Sequence, residues 1–249
     1  MNKASKTKKI NPIKVMLFFV ILLTGISPAI MGQANDYNSR FVSLIVDPRT
    51  SKIELYWKDD KNVIIKSFRN LKSYVETKGK RLKFAMNGGM FMEDYAPLGL
   101  FVQKQKTIKK LNTATGSTNF YMKPNGVFYI TTDNIGHVCT TSTYVNDGNV
   151  NFATQSGPML LIDGKINTEF TKGSKNINIR NGVGILPNNK VIFAISTDFV
   201  NFYDFAEYFK NMGCSNALYL DGAVSQMYLP EKNREQMTGD FGVIIGIAE

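Results

Sequence analysis

The sequence predicts an α+β fold: a single domain with a dominant mixed β-sheet core and a few flanking helices. Three observations carry that expectation. Most of the chain beyond its first segment falls into short runs rich in β-branched and aromatic residues, two segments switch to helical spacing, and no linker, repeat or low-complexity tract interrupts them. In order, the strand-like runs are Phe41 to Asp47, Ile53 to Trp57, Leu82 to Met86, Leu98 to Gln103, Gly126 to Thr132, Gly182 to Leu186, Lys190 to Thr197 and Ala217 to Leu220. A final run, Phe241 to Ile247, is expected to close the sheet. Pro187, Asn188 and Asn189 separate two of these runs and predict a hairpin between them. In Phe68 to Lys78, Phe68, Leu71, Tyr74 and Val75 fall on one helical face. In Asn201 to Met212 the corresponding face holds Phe202, Phe205, Ala206 and Phe209, and Gly213 follows as a fitting helix end.

The first 34 residues read differently. Lys3, Lys6, Lys8, Lys9 and Lys14 form a basic head, the apolar run Val15 to Leu23 follows, and Gly32 and Ala34 supply small residues at an exit. That is the layout of a secretory signal peptide cleaved after Ala34, leaving residues 35–249 as the functional domain. The apolar run is short of the roughly 20 residues that span a bilayer, so no stable membrane insertion is expected after cleavage. An uncleaved signal anchor is the alternative. An exported protein, periplasmic or secreted, follows from this reading.

The whole chain holds 30 Lys and Arg against 20 Asp and Glu, for a net charge of +10. Five of those lysines lie in the leader and no acid does, so the remainder is only mildly basic. Such a balance suits an anionic small substrate, and it is too dispersed for nucleic acid, which calls for a clustered basic stripe. Cys139 and Cys214 can form a bridge in an oxidising compartment or serve as small buried hydrophobes. His137 is the single histidine. It excludes multi-histidine zinc centres within one chain, and no Cys-x-x-Cys cluster replaces them, so no metal or other cofactor is expected. Its strand-like surroundings favour a structural role, which leaves carboxylates, Arg, Asn, Ser and backbone amides to carry any chemistry.

Polar and glycine-rich residues gather where the strand pattern stops. Asn87-Gly88-Gly89-Met90-Phe91 ends one strand, and its glycines predict a sharp turn whose amides can face an anion, with Glu93 and Asp94 just beyond. An ordinary hairpin turn is the plainer reading. Gln155-Ser156-Gly157-Pro158 precedes an apolar strand. Arg180 stands before a strand punctuated by Gly182 and Gly184, where it can take a phosphate in a two-pronged grip or make a surface ion pair. Ser196-Thr197-Asp198 ends the strongest apolar run. Tyr219-Leu220-Asp221-Gly222-Ala223-Val224-Ser225 delivers a carboxylate into a glycine turn, where it can act as acid, base or ligand orienter.

As a set, Asn-Gly-Gly-x-Phe (Asn87 to Phe91), Gly-Pro-x-Leu (Gly157 to Leu160), Arg-x-Gly-x-Gly (Arg180 to Gly184) and Tyr-Leu-Asp-Gly (Tyr219 to Gly222) resemble the signature of the phosphodiester glycosidase family. The likeness runs from about Leu82 to Ile247 and is strongest to a bacterial branch. Where the family commonly continues Asp-Gly-Gly-x-Ser, this chain has Ala223, while Ser225 stays in register. The resemblance implies hydrolysis of the bond between an anomeric carbon and a phosphodiester oxygen, with a sugar-phosphate diester or phosphoglycan as substrate. A phosphodiester leaves readily as a weakly basic anion, so the site needs an anion cradle, sugar contacts and a carboxylate more than a strong acid.

Those needs assign expected roles. Arg180 and the amides of Gly88 and Gly89 hold the phosphate, and Asp221 is the leading catalytic carboxylate, with Glu93, Asp94 or Asp198 as a second. Asn87, Ser196 and Ser225 bind the sugar or orient the carboxylate, and Gly157, Gly182 and Gly222 line the substrate. A non-catalytic glycan-binding protein of the cell envelope and a metal-assisted phosphodiesterase are the competing readings.

Overall fold

A computed structural model describes Met1 and residues 39–249. The expected leader and its cleavage point at Ala34 lie outside the described residues, Met1 aside. In chain order the elements are β1 (Phe41–Val46), β2 (Ile53–Tyr56), α1 (Phe68–Glu76), β3 (Leu82–Gly89), β4 (Phe101–Gln103), β5 (Lys106–Lys109), β6 (Gly126–Thr131), β7 (Gly136–Thr140), β8 (Val150–Ser156), β9 (Met159–Ile162), β10 (Lys165–Ile166), β11 (Asn181–Ile185), β12 (Val191–Ser196), α2 (Phe202–Asn211), β13 (Asn216–Tyr219), β14 (Met227–Leu229), β15 (Arg234–Glu235) and β16 (Val243–Ala248). The α+β class holds, with strands dominant.

The single mixed sheet is corrected. Among the described residues the strands form three sheets, ordered β1-β12-β11-β13-β9-β10, β15-β14-β3-β16-β2 and β5-β4-β8-β6-β7. Their pairings are antiparallel, including the expected β11–β12 hairpin. Parallel neighbours need long crossovers, usually helices, and the described residues hold two α-helices, Phe68–Glu76 and Phe202–Asn211. The run expected to close the sheet, realised as β16, instead fills its interior, between β3 and β2. Consecutive Ile244 and Ile245 are both fully buried, so this strand has no solvent face.

All three sheets send apolar side chains to one shared core. It joins Leu55 and Phe84 of the second sheet, Phe101 and Phe128 of the third, and Val183 and Phe193 of the first. Phe193 packs against both neighbours, with ring centroids 5.0 Å from Phe84 and 5.7 Å from Phe128. The helices cover outer faces. α1 starts at Ser67, whose side chain accepts the Asn70 amide, and buries Phe68, Leu71 and Val75 in a cluster with Ala85 and Ile244. α2 is capped by Asn201, whose side chain accepts the Asp204 amide at 2.8 Å, and packs Phe205, Ala206 and Phe209 onto the first sheet. Gly213 follows α2 with φ +85°, the left-handed helix end anticipated from sequence.

Both cysteines are free thiols: Cys214 is buried in the α2 cluster and Cys139 is half-buried on β7. His137 stacks on Tyr129 with centroids 4.8 Å apart, and burial lowers its pKa, in keeping with a structural role.

Gly182, expected to line the substrate, lies instead in the packing beneath α2. A Cβ there would stand 2.8 Å from the Leu218 carbonyl oxygen and 3.1 Å from the Phe205 ring. Backbone cannot yield as a flexible side chain can. Gly182→Ala is therefore expected to destabilise the fold by about 1–3 kcal/mol, read as a lower denaturant midpoint at unchanged m value.

Candidate active site

The residues that break the strand pattern meet where the first two sheets adjoin. Asn87 comes from near the end of β3, Asn181 opens β11, and Asp221 follows β13. The Asn181 carboxamide binds them together. Its Nδ2 donates to the Asn87 carbonyl oxygen at 2.8 Å and to Asn87 Oδ1 at 3.0 Å. Its Oδ1 accepts the Asp221 amide at 3.1 Å and the Ser225 hydroxyl at 3.0 Å. Asn87 Nδ2 donates to the Asp221 carbonyl oxygen at 3.3 Å, while its Oδ1 also accepts the Gln226 amide at 3.0 Å. One residue earlier, the Ser156 hydroxyl donates to the Leu220 carbonyl oxygen. The main chain on both sides of Asp221 is thus held by buried polar groups, and both asparagines are almost fully buried.

This frame presents a carboxylate in poor solvent. Asp221 is 7% exposed, and its Oδ1 accepts the Ala223 amide at 3.2 Å. Burial raises its pKa to about 6 against the pull of that amide. Such a group is ionised at neutral pH but can take a proton in mildly acidic solution, which suits acid, base or charge-stabilising work. The loop carrying it is set by contact rather than by backbone strain. A Cβ on Gly222 would fall 1.7 Å from the Tyr219 hydroxyl oxygen, so only glycine admits the phenol there. Neither Gly222 nor Ala223 has a left-handed φ, so the alanine in place of the family's usual glycine is accommodated.

Other expected residues fall elsewhere. Gly88 and Gly89 do not form the sharp turn or the anion-facing nest: they continue β3, and a register shift opposite Val243 and Ile244 leaves Gly88 as the extra residue. Close packing explains both, since a Cβ on Gly88 would lie 2.7 Å from Ile245 Cγ1 and one on Gly89 2.7 Å from Thr154 Oγ1. Gly157 likewise admits Asn125, whose Cβ would stand 2.6 Å from an added one.

Arg180 does not meet the phosphate-gripping expectation either. It is fully buried, with Nε donating to the Val200 carbonyl and Nη2 to the Asn176 carbonyl, each at 2.8 Å. Its guanidinium lies 3.6 Å over the Phe202 ring, and Nη1 is buried without a protein hydrogen-bond partner. Ser196, expected on the sugar, is buried and accepts the Arg180 amide. Glu93 and Asp94 are exposed in the turn after β3, where Asp94 Oδ1 accepts the Ala96 amide. Asp198 is exposed as well, with Thr197 as its neighbour at 3.4 Å. None of the three candidate second carboxylates hydrogen-bonds to the Asp221 frame, so Asp221 stands as its carboxylate. Among the described residues no three His, Cys, Asp or Glu side chains gather where they could hold a metal ion.

Sequence reasoning passed over Asn181 and Tyr219. Both lie inside motifs it had singled out, and a polar residue opening an otherwise apolar strand was the available signal for Asn181.

The fold and this frame define a class. The chain belongs to the phosphodiester glycosidase family, whose model matches residues 80–243. Protein YigE of Escherichia coli (strain K12), described as uncharacterized, is 37% identical over 185 residues, spanning 74% of this chain and 72% of its own. Among solved structures, the zebrafish N-acetylglucosamine-1-phosphodiester alpha-N-acetylglucosaminidase catalytic domain, auto-inhibited by its pro-peptide, is similar in fold with a TM-score of 0.56. It is 16% identical and covers 84% of each chain. A Burkholderia pseudomallei protein is similar at a TM-score of 0.52 and 10% identity, over 83% of this chain and 73% of its own.

The buried carboxylate has a signed consequence for stability. Its pKa is higher folded, at about 6, than the ordinary 3.8, so the folded state keeps its proton to higher pH. Stability contributed by the neutral form is present below about pH 4 and is lost as pH rises through 6, a cost on the order of 3 kcal/mol. Asp221→Asn is expected to lack that slope and to melt higher than wild type at pH 7, by calorimetry across pH 4 to 8.

Proposed function

We propose that the protein is an exported hydrolase that cleaves the glycosidic C–O bond of a sugar 1-phosphodiester, with Asp221 as its catalytic carboxylate. The observation that carries the reading is the buried Asp221, raised to a pKa of about 6 and fixed on both sides by Asn87, Asn181 and Ser225. Family membership supports the reaction class. The solved zebrafish relative acts on an N-acetylglucosamine 1-phosphodiester, which makes a related sugar phosphodiester the first substrate to try.

The reaction separates a phosphodiester anion from a sugar whose anomeric carbon becomes positively charged. An ionised carboxylate beside that carbon stabilises the charge or directs water to it, and its low-dielectric surroundings strengthen the interaction. The leaving anion is weakly basic, so one well-placed carboxylate meets the main demand. Because Asp221 acts ionised in this scheme, kcat/KM rises with pH through about 6. Export rests on the leader: the secreted protein is expected to begin at Asn35, read by N-terminal sequencing, and an intact Met1 would sink that part of the reading.

The deciding assay incubates the purified protein with a panel of sugar 1-phosphodiesters, an α-N-acetylglucosaminyl one included, with and without chelator. Free reducing sugar and an intact phosphomonoester are expected, and Asp221→Asn should lose at least about a hundredfold in kcat. Sugar phosphate as the product would mean P–O cleavage and defeat the proposal. Binding without any product would identify a glycan-binding protein instead.

A further inference from the structure

Beside the Asp221 loop the chain exposes apolar surface that the fold does not use. Asn178 and Val200 form an isolated antiparallel bridge, with backbone hydrogen bonds of 3.1 and 2.9 Å in the two directions. Val200 points inward and is fully buried, whereas Phe199 beside it is 63% exposed and Ile177, on the facing strand, 49%. Scattered apolar residues are ordinary on protein surfaces. These two are not scattered: they flank one bridge, in a ribbon anchored from below by Arg180, which donates to Val200 and Asn176. The ribbon also touches the catalytic loop, because a Cβ on Gly222 would lie 3.4 Å from the Ile179 carbonyl oxygen.

We propose that Phe199 and Ile177 form a platform for the apolar face of a pyranose ring, with the Asp198 carboxylate as acceptor for the ring's hydroxyls. The inference places that ring beside Asp221 and in this respect rests on the function proposed above. A pyranose presents a flat patch of C–H groups on one side and hydroxyls round its edge. The ribbon offers the matching pattern: one aromatic face, one aliphatic side chain and, next in sequence to Phe199, an exposed carboxylate. Two apolar residues make too small a patch for a stable protein interface, which buries upwards of about 1,000 Å². One aromatic and one aliphatic side chain are enough to stack a single sugar ring. Arg180 holds the ribbon's main chain at Val200 and Asn176 from within the core, so the backbone carrying the platform is in place before the ligand arrives.

The test uses the full-length protein carrying Asp221→Asn, which binds without turning the probe over, and the methyl phosphodiester of α-N-acetylglucosamine 1-phosphate as probe. By calorimetric titration, Phe199→Ala is expected to weaken binding roughly tenfold, and Phe199→Trp to retain it within about twofold. Asp198→Asn should weaken it less, and inorganic phosphate, which has no apolar face, should show no dependence on Phe199. Equal affinity in Phe199→Ala would overturn the platform. So would a fall in melting temperature in Phe199→Ala with binding unchanged, which would mark Phe199 as covered by another part of the chain. If the parent protein bound neither this diester nor the corresponding glucose and galactose diesters, the platform would fail outright. Failure of the hydrolase reading looks different: sugar binding that depends on Phe199 in a wild-type protein that releases no product.

Discussion

Everything at the site depends on one carboxamide placed between two sheets. Asn181 belongs to the first sheet and Asn87 to the second, and the two hydrogen bonds from Asn181 Nδ2 to Asn87 join them where no strand pairing does. The oxygen of the same group holds the Asp221 amide and the Ser225 hydroxyl. A buried amide that left any of these partners unmet would cost on the order of 1–3 kcal/mol per group. The network is therefore close to all-or-none, and it fixes the main chain at Asp221 before any ligand is present. That is the pre-organisation a charge-stabilising site requires.

The price of this arrangement is visible in two charged groups kept out of water. Among the described residues Asp221 is buried with no basic side chain bonded to it, and Arg180 is buried with no acidic one. Each is held by backbone instead. For Arg180, carbonyl oxygens and the face of Phe202 substitute for a counter-ion, and the side chain ties the 176–200 region to the core. For Asp221, burial is only weakly offset, which leaves a carboxylate poised near the pH where it changes charge. One group is engaged in architecture, and the other keeps a carboxylate oxygen whose single hydrogen bond is with the Ala223 amide.

The contrast shows how far the sequence could be read. Periodicity located both helices and most strands, since Phe205 and Phe209 or Ile244 and Ile245 signal burial by composition alone. It did not reveal β8, whose Thr154, Gln155 and Ser156 look like a loop. All three are buried, and their side chains bond to Gly88, Leu100, Asn112 and Leu220, partners distant in sequence. It also merged three sheets into one, because local pattern carries no record of which strands pair. At the site, Asp221 and Asn87 were legible as polar residues at strand ends. Arg180 was read too simply: its type suits phosphate, but only tertiary structure shows its donors already engaged. The glycines were identified as special for a conformational reason, while the structure gives most of them a steric one.

The position of β16 has a consequence for how the molecule comes into being. This strand lies between β3 and β2, yet it is made after both and after every other strand. While the chain is growing, β3 has an open edge on the side where β16 will lie, and the sheet carrying Asn87 is incomplete. The second sheet therefore joins strands far apart in the chain, β2 with β16 above all, and such non-local pairings form more slowly than local ones. Insertion of β16 completes the second sheet and pairs Ile244 with Asn87, so one side of the Asp221 frame has its strand partner only once the most distant segment has arrived.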